Sequence, residues 1–133
     1  MSTKKRIIVI TLCLLNWVTF VMPARAQDPV TSAVQSYFSA LRDGDVNTLL
    51  QLVGGPYYQQ IKVLLEQNTE YPAFLQNRYA QVQFFIDDVV TQSNGAAIKA
   101  RYEFGPNDTQ HKLLIMQPDK NGVWKVTQVR NTD

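Results

Sequence analysis

Asp87 and Asp88 stand side by side and are the sharpest acid/base candidates in the chain. They fall in an alternating segment that reads as a strand, where neighbouring side chains point to opposite faces, so the pair cannot work as a dyad. Asp88 continues the series Phe84, Ile86 and is expected to point inward, with Asp87 toward water. A carboxylate held inward loses hydration, its pKa rises, and it becomes a candidate general base. Lys99 and Arg101 belong to the opposite face of the next strand, and no motif supplies a group to stabilise developing charge. Asp88 is therefore a weak catalytic candidate, and no other residue is a better one.

The remaining reactive groups are few. His111 is the single histidine, which excludes a His-rich metal cluster and His-pair motifs, and it is expected to be an exposed strand residue after the turn ending at Gln110. Gly54-Gly55-Pro56 has no Lys-Ser/Thr behind it and reads as a helix break, not a phosphate cradle. No Gly-x-Ser-x-Gly or Gly-x-Gly-x-x-Gly pattern occurs. Neither a metal nor a cofactor is expected.

These groups would be positioned by helices first and strands after. Asp28-Pro29 reads as an N-cap and a first-turn proline, followed by Val30, Ala33, Val34, Tyr37, Phe38 and Leu41 on one helical stripe, with Gly44 as the stop. Asp45 caps a short helix carrying Val46, Leu49, Leu50 and Val53. A third helix runs from about residue 57 to 67 with Tyr57, Ile61, Leu64 and Leu65 inward, and Pro72 opens one further turn through Phe74 and Leu75. The apolar period then changes to two. Ala80, Val82, Phe84 and Ile86 form one face of a strand; Asn94-Gly95 marks a hairpin; Ala96, Ile98, Ala100, Tyr102 and Phe104 line the next strand. Two more strands follow, over about 110–117 and 123–129. The expected fold class is α+β, with N-terminal helices packed on one face of an antiparallel sheet of about four strands.

The first 26 residues have a different grammar. Lys4, Lys5 and Arg6 precede the uncharged run Ile7–Met22, then Pro23 and Ala24-Arg25-Ala26, which is the order of a signal peptide cleaved after Ala26. The run is shorter than the ~20 residues of a spanning helix. The expected domains are thus 1–26, a signal peptide, and 27–133, a single α+β domain in the periplasm or secreted. Cys13, the only cysteine, leaves with the leader, so thiolate metal sites and cysteine nucleophiles are excluded from the mature chain. Of the 13 basic residues Lys4, Lys5, Arg6 and Arg25 also leave, and the remainder face 11 acidic ones, which turns a formal charge of +2 into a small negative one. No basic stripe survives to bind nucleic acid.

Two segments, Val34-Gln35-Ser36-Tyr37-Phe38-Ser39-Ala40-Leu41-Arg42-Asp43-Gly44-Asp45 and Gly122-Val123-Trp124-Lys125-Val126, resemble the opening helix with its Gly-Asp turn and the closing strand of the nuclear transport factor 2-like superfamily. The likeness is greatest to its small secreted bacterial, lumazine-binding-like members. The resemblance implies a cone in which a helical layer covers a curved sheet, a cystatin-like arrangement, but no single function. Within such a cone Tyr37, Tyr57, Tyr58, Phe84, Tyr102 and Trp124 lie on or beside the inner faces, along with Phe38. Core packing accounts for most of them, yet inward tyrosines need partners for their hydroxyls, and a partly hollow cone would suit a small apolar ligand. The first functional expectation is a non-enzymatic domain that binds a protein partner or such a ligand. The alternatives are an isomerase- or dehydratase-like enzyme using Asp88, as the steroid-isomerase branch of the superfamily suggests, and a subunit of an envelope assembly that docks or homodimerises through the outer sheet face.

Overall fold

The computed structural model describes residues 28–132. The expected signal peptide, 1–26, lies outside them. Four helices come first: α1 (Pro29–Asp43), α2 (Val46–Leu52), α3 (Gly55–Gln67) and α4 (Tyr71–Tyr79). Four strands follow, β1 (Gln83–Gln92), β2 (Gly95–Gly105), β3 (Asp108–Pro118) and β4 (Trp124–Asn131), paired antiparallel in sequence order. The α+β class and the helix-on-sheet layering expected from the sequence are present.

The helix ends are set by the residues that predict them. Asp28 accepts a hydrogen bond from the Thr31 backbone N–H at 2.6 Å, with Pro29 opening α1. Gly44 closes it in the left-handed region at φ 66°. A Cβ there would lie 2.5 Å from the Pro72 carbonyl oxygen, so glycine also permits the start of α4 to pack against the end of α1. Asp45 caps α2 through Thr48, whose N–H and hydroxyl both donate to its carboxylate, and these bonds hold its pKa below the usual carboxylate value. The layers are joined where Gly54 N–H donates to the Val126 carbonyl at 2.9 Å.

Two helical expectations need correction. Tyr57, Ile61 and Leu65, spaced by four, face the core of α3, and Leu64 is left on the solvent flank. The single turn expected after Pro72 is a nine-residue helix that buries Leu75, while Phe74 is 54% exposed.

Across the sheet's inner face the register makes four rows. Ala96, Met116 and Val126 align; then Val89, Ile98, Leu114 and Val129; then Ile86, Ala100, Lys112 and Asn131; then Phe84, Tyr102 and Gln110. The first two rows are aliphatic and join Val34, Leu49 and Val53 in the core. The third keeps Ile86 and Ala100 but brings in Lys112 and Asn131, and the fourth is aromatic and polar. The strands are not uniform. Ile86 pairs with Ala100 and Asp88 with Lys99, so Asp87 is an extra residue in β1; Ile115 pairs with Gln128 and Met116 with Val126, so Thr127 is extra in β4. Such bulges bend a strand and reset which parity faces in. Both edge strands carry one, which curves the sheet around the helices.

Candidate aromatic site in the cone

Asp88 is the first residue moved by the bulge. Strict alternation carries it inward after Phe84 and Ile86; the extra Asp87 shifts the phase, so Val89 packs on the core and Asp88 shares the outer face with Lys99. Asp88 is exposed, its carboxylate accepting a 3.0 Å hydrogen bond from Val89 N–H. It is not the inward, desolvated carboxylate that strict alternation implies. Asp87 faces solvent as expected and binds Arg101 through both carboxylate oxygens at 3.2 Å, while Arg101 also pairs with Glu103 and lies over the Phe85 ring. His111, exposed and in register with Arg101, belongs to the same outer face.

The aromatic expectation fares differently from one residue to the next. Tyr37 and Phe38 from α1, Tyr57 from α3, Phe84 from β1 and Tyr102 from β2 converge between helices and sheet. Phe38 stacks on Phe84 with ring centroids 4.6 Å apart, and Tyr102 meets the same two rings edge-on at 5.8 and 4.9 Å. Tyr37 and Tyr57 contact at 6.3 Å. Tyr58 and Trp124 are half-buried against the core, and neither has a ring contact with this cluster among the described residues.

Three tyrosine hydroxyls lie in this interior. Those of Tyr37 and Tyr57 share a 2.6 Å hydrogen bond. The Tyr102 hydroxyl is buried beside that of Tyr37 and, among the described residues, no atom meets it in hydrogen-bonding geometry. Burial pushes the Tyr57 phenol up to about 12, and burial together with neighbouring phenols also raises Tyr37 and Tyr102 well above the usual tyrosine value. All three are neutral hydrogen-bonding groups in the folded protein. They can orient a polar atom of a bound molecule but cannot serve as bases near neutral pH.

Tyr79 and Phe104 complete the cluster, and sequence reading missed them as site residues. Tyr79 lies at the end of α4 and contacts Phe84, Tyr102 and Phe104 at 6.0 to 6.2 Å. Phe104 had a signal, being two residues beyond Tyr102 on one strand. Tyr79 had none, because α4 was read too short. Three cations were also missed. Arg42 lies 5.1 Å from the Phe84 centroid, Arg78 4.7 Å from that of Phe104 and 5.6 Å from that of Tyr79, and Lys112 5.5 Å from that of Tyr102. Beside Phe104 a hollow of ≈ 360 Å³ opens at the rim, bordered by Gln81, Glu103, Gly105 and Pro106. A second cleft of ≈ 440 Å³ between α3 and β4 reaches Tyr57. Among the described residues no three His, Cys, Asp or Glu side chains come together as metal ligands.

Helices in this order over a bulged four-stranded meander match a protein of unknown function from Silicibacter pomeroyi that is NTF2-like, with a TM-score of 0.55 and 14% identity over 78% of this chain and 93% of that one. The fold is NTF2-like. A proposed dehydratase of the NTF2-like family from Streptomyces avermitilis is also similar, at a TM-score of 0.47 and 20% identity over 80% of this chain and 94% of that one. No protein-family model and no curated protein matches the chain. The NTF2-like likeness establishes the architecture and leaves the activity to be argued from the site.

Proposed function

We propose that this protein is an exported, non-enzymatic NTF2-like domain that binds a small, largely apolar molecule at the aromatic end of its cone. The observation that carries the reading is the Tyr102 hydroxyl. A buried hydroxyl without a partner costs about 1–3 kcal/mol, and phenylalanine would fill the same space without that penalty. A ligand atom that bonds this hydroxyl would remove the cost. The half-buried rings of Tyr79 and Phe104, with the hollow beside Phe104, would border the ligand's apolar body. Export is supported by the basic, apolar, small-x-small order of residues 4–26, and sequencing the envelope form should find Gln27 at its N-terminus.

The experiment is an NMR titration of the mature protein, labelled at its tyrosines, with naphthylmethanol as a neutral aromatic probe. The expected result is saturable perturbation at Tyr37, Tyr79 and Tyr102. Perturbation confined to Tyr58, or none, overturns the reading.

A further inference from the structure

Three cations meet at the rim of the aromatic cluster, and the carboxylate that borders the hollow beside Phe104, Glu103, is already held by Arg101. Tyr79, Phe84, Tyr102 and Phe104 form a connected set of rings with centroids 4.9 to 6.4 Å apart. Each has a cation over it: Arg42 on Phe84, Arg78 on Phe104 and Tyr79, Lys112 on Tyr102. The three cations come from α1, α4 and β3, so no local sequence run explains their meeting. Asp87 and Glu103 pair with Arg101 on the outer face, and among the described residues neither Arg42 nor Arg78 has a carboxylate partner. Lys112 is anchored by a hydrogen bond to the Asn131 side chain.

We propose that this rim selects an aromatic or otherwise flat apolar molecule that bears a carboxylate, with the carboxylate between Arg42 and Arg78. The inference rests on the binding reading above and names the ligand's chemical class. A guanidinium stacked on a ring keeps its in-plane N–H groups at the edge, where they can donate in pairs to a planar carboxylate. The ring beneath holds the guanidinium plane and reduces the freedom lost when the anion arrives. The ligand's apolar body then lies in the hollow beside Phe104.

A purely structural role for the arginines has a different signature. Arg42 and Arg78 lie in the last turns of α1 and α4, where a cation complements the helix dipole. In that role their loss would lower stability slightly and leave ligand preference unchanged.

The test compares naphthoate, naphthylmethanol and naphthylmethylammonium on the mature protein by calorimetry. These probes differ mainly in the charge of one substituent. The expected order is naphthoate tightest, about tenfold over the alcohol, with the ammonium weakest. Arg42→Gln and Arg78→Gln should each remove most of the preference for naphthoate over naphthylmethanol. The wild-type preference should also shrink as salt is added, a measurement that needs no variant to fold. Equal affinity for naphthoate and naphthylmethanol would overturn the anion inference and leave the binding reading standing. No binding of any probe would overturn both. A preference for naphthoate that survives both substitutions would place the anion elsewhere and overturn the assignment to this rim.

Discussion

The two ends of the sheet's inner face are built from the same strands and solve different problems. At one end Ile98, Leu114 and Met116 are fully buried, carry no hydrogen-bonding side-chain group, and align in register with Val126 and Val129. At the other, Phe84, Tyr102 and Gln110 align, three cations cover the rings, and one buried hydroxyl is left without a partner. The aliphatic end minimises cost everywhere. The aromatic end accepts a cost at Tyr102 that packing alone would not require. The contrast teaches where to look for function: stability accounts for the first end completely, and leaves a remainder at the second.

That contrast can be broken by pH. Tyr37, Tyr57 and Tyr102 keep their protons in the folded protein above the ordinary tyrosine value of 10.0, because burial disfavours the phenolate. Above about pH 10 the unfolded chain releases protons that the folded one retains, so stability falls as pH rises. Below that value their contribution is complete. Each tyrosine adds a slope of ~1.4 kcal/mol per pH unit, about 4 kcal/mol per unit for the three together, until Tyr57 titrates near 12. Denaturant melts at pH values between these limits should show the slope. A Tyr37→Phe/Tyr57→Phe pair should remove most of it, and an unchanged slope would show that other groups set it.

At the aliphatic end, Leu114→Ala should cost about 3 kcal/mol in a urea melt, since the side chain is fully buried and the surrounding rows cannot collapse into the space. A cost below about 1 kcal/mol would mean that the two ends are not packed differently. At the aromatic end, Tyr102→Phe should go the other way and stabilise the protein by ~1 kcal/mol, because it deletes the unpartnered hydroxyl and keeps the ring. The smallest effect is expected for Arg78→Gln, about 0.5 kcal/mol from the loss of its contact with Phe104. A urea melt of the variant measures it, and a loss above about 2 kcal/mol would contradict the exposed rim position of Arg78.

How much of this was legible in the sequence depended on whether a signal was local. α1 and its caps follow from Asp28, Pro29, Gly44 and a stripe at helical spacing, and β2 follows from alternation between Ala96 and Phe104. The inward position of Tyr37 and Tyr102 came with them. The phase of β1 was not legible, because a bulge at Asp87 depends on pairing with β2 and leaves no mark in β1 itself. That one residue carried Asp88 from the expected inner face to the outer one. The length of α4 was hidden by its exposed Phe74, which breaks the apolar stripe. Arg42, Arg78 and Lys112 look like ordinary surface cations in sequence; only the fold brings them onto one set of rings.

The central claim is that the aromatic end gives up stability in order to bind. The most direct measurement is the affinity of naphthylmethanol for wild type and Tyr102→Phe, taken alongside their melts. The account predicts that the variant is the more stable protein and binds the probe at least about tenfold more weakly. A variant that is more stable and binds equally well would contradict it, since the hydroxyl would then be a packing defect with no partner to wait for.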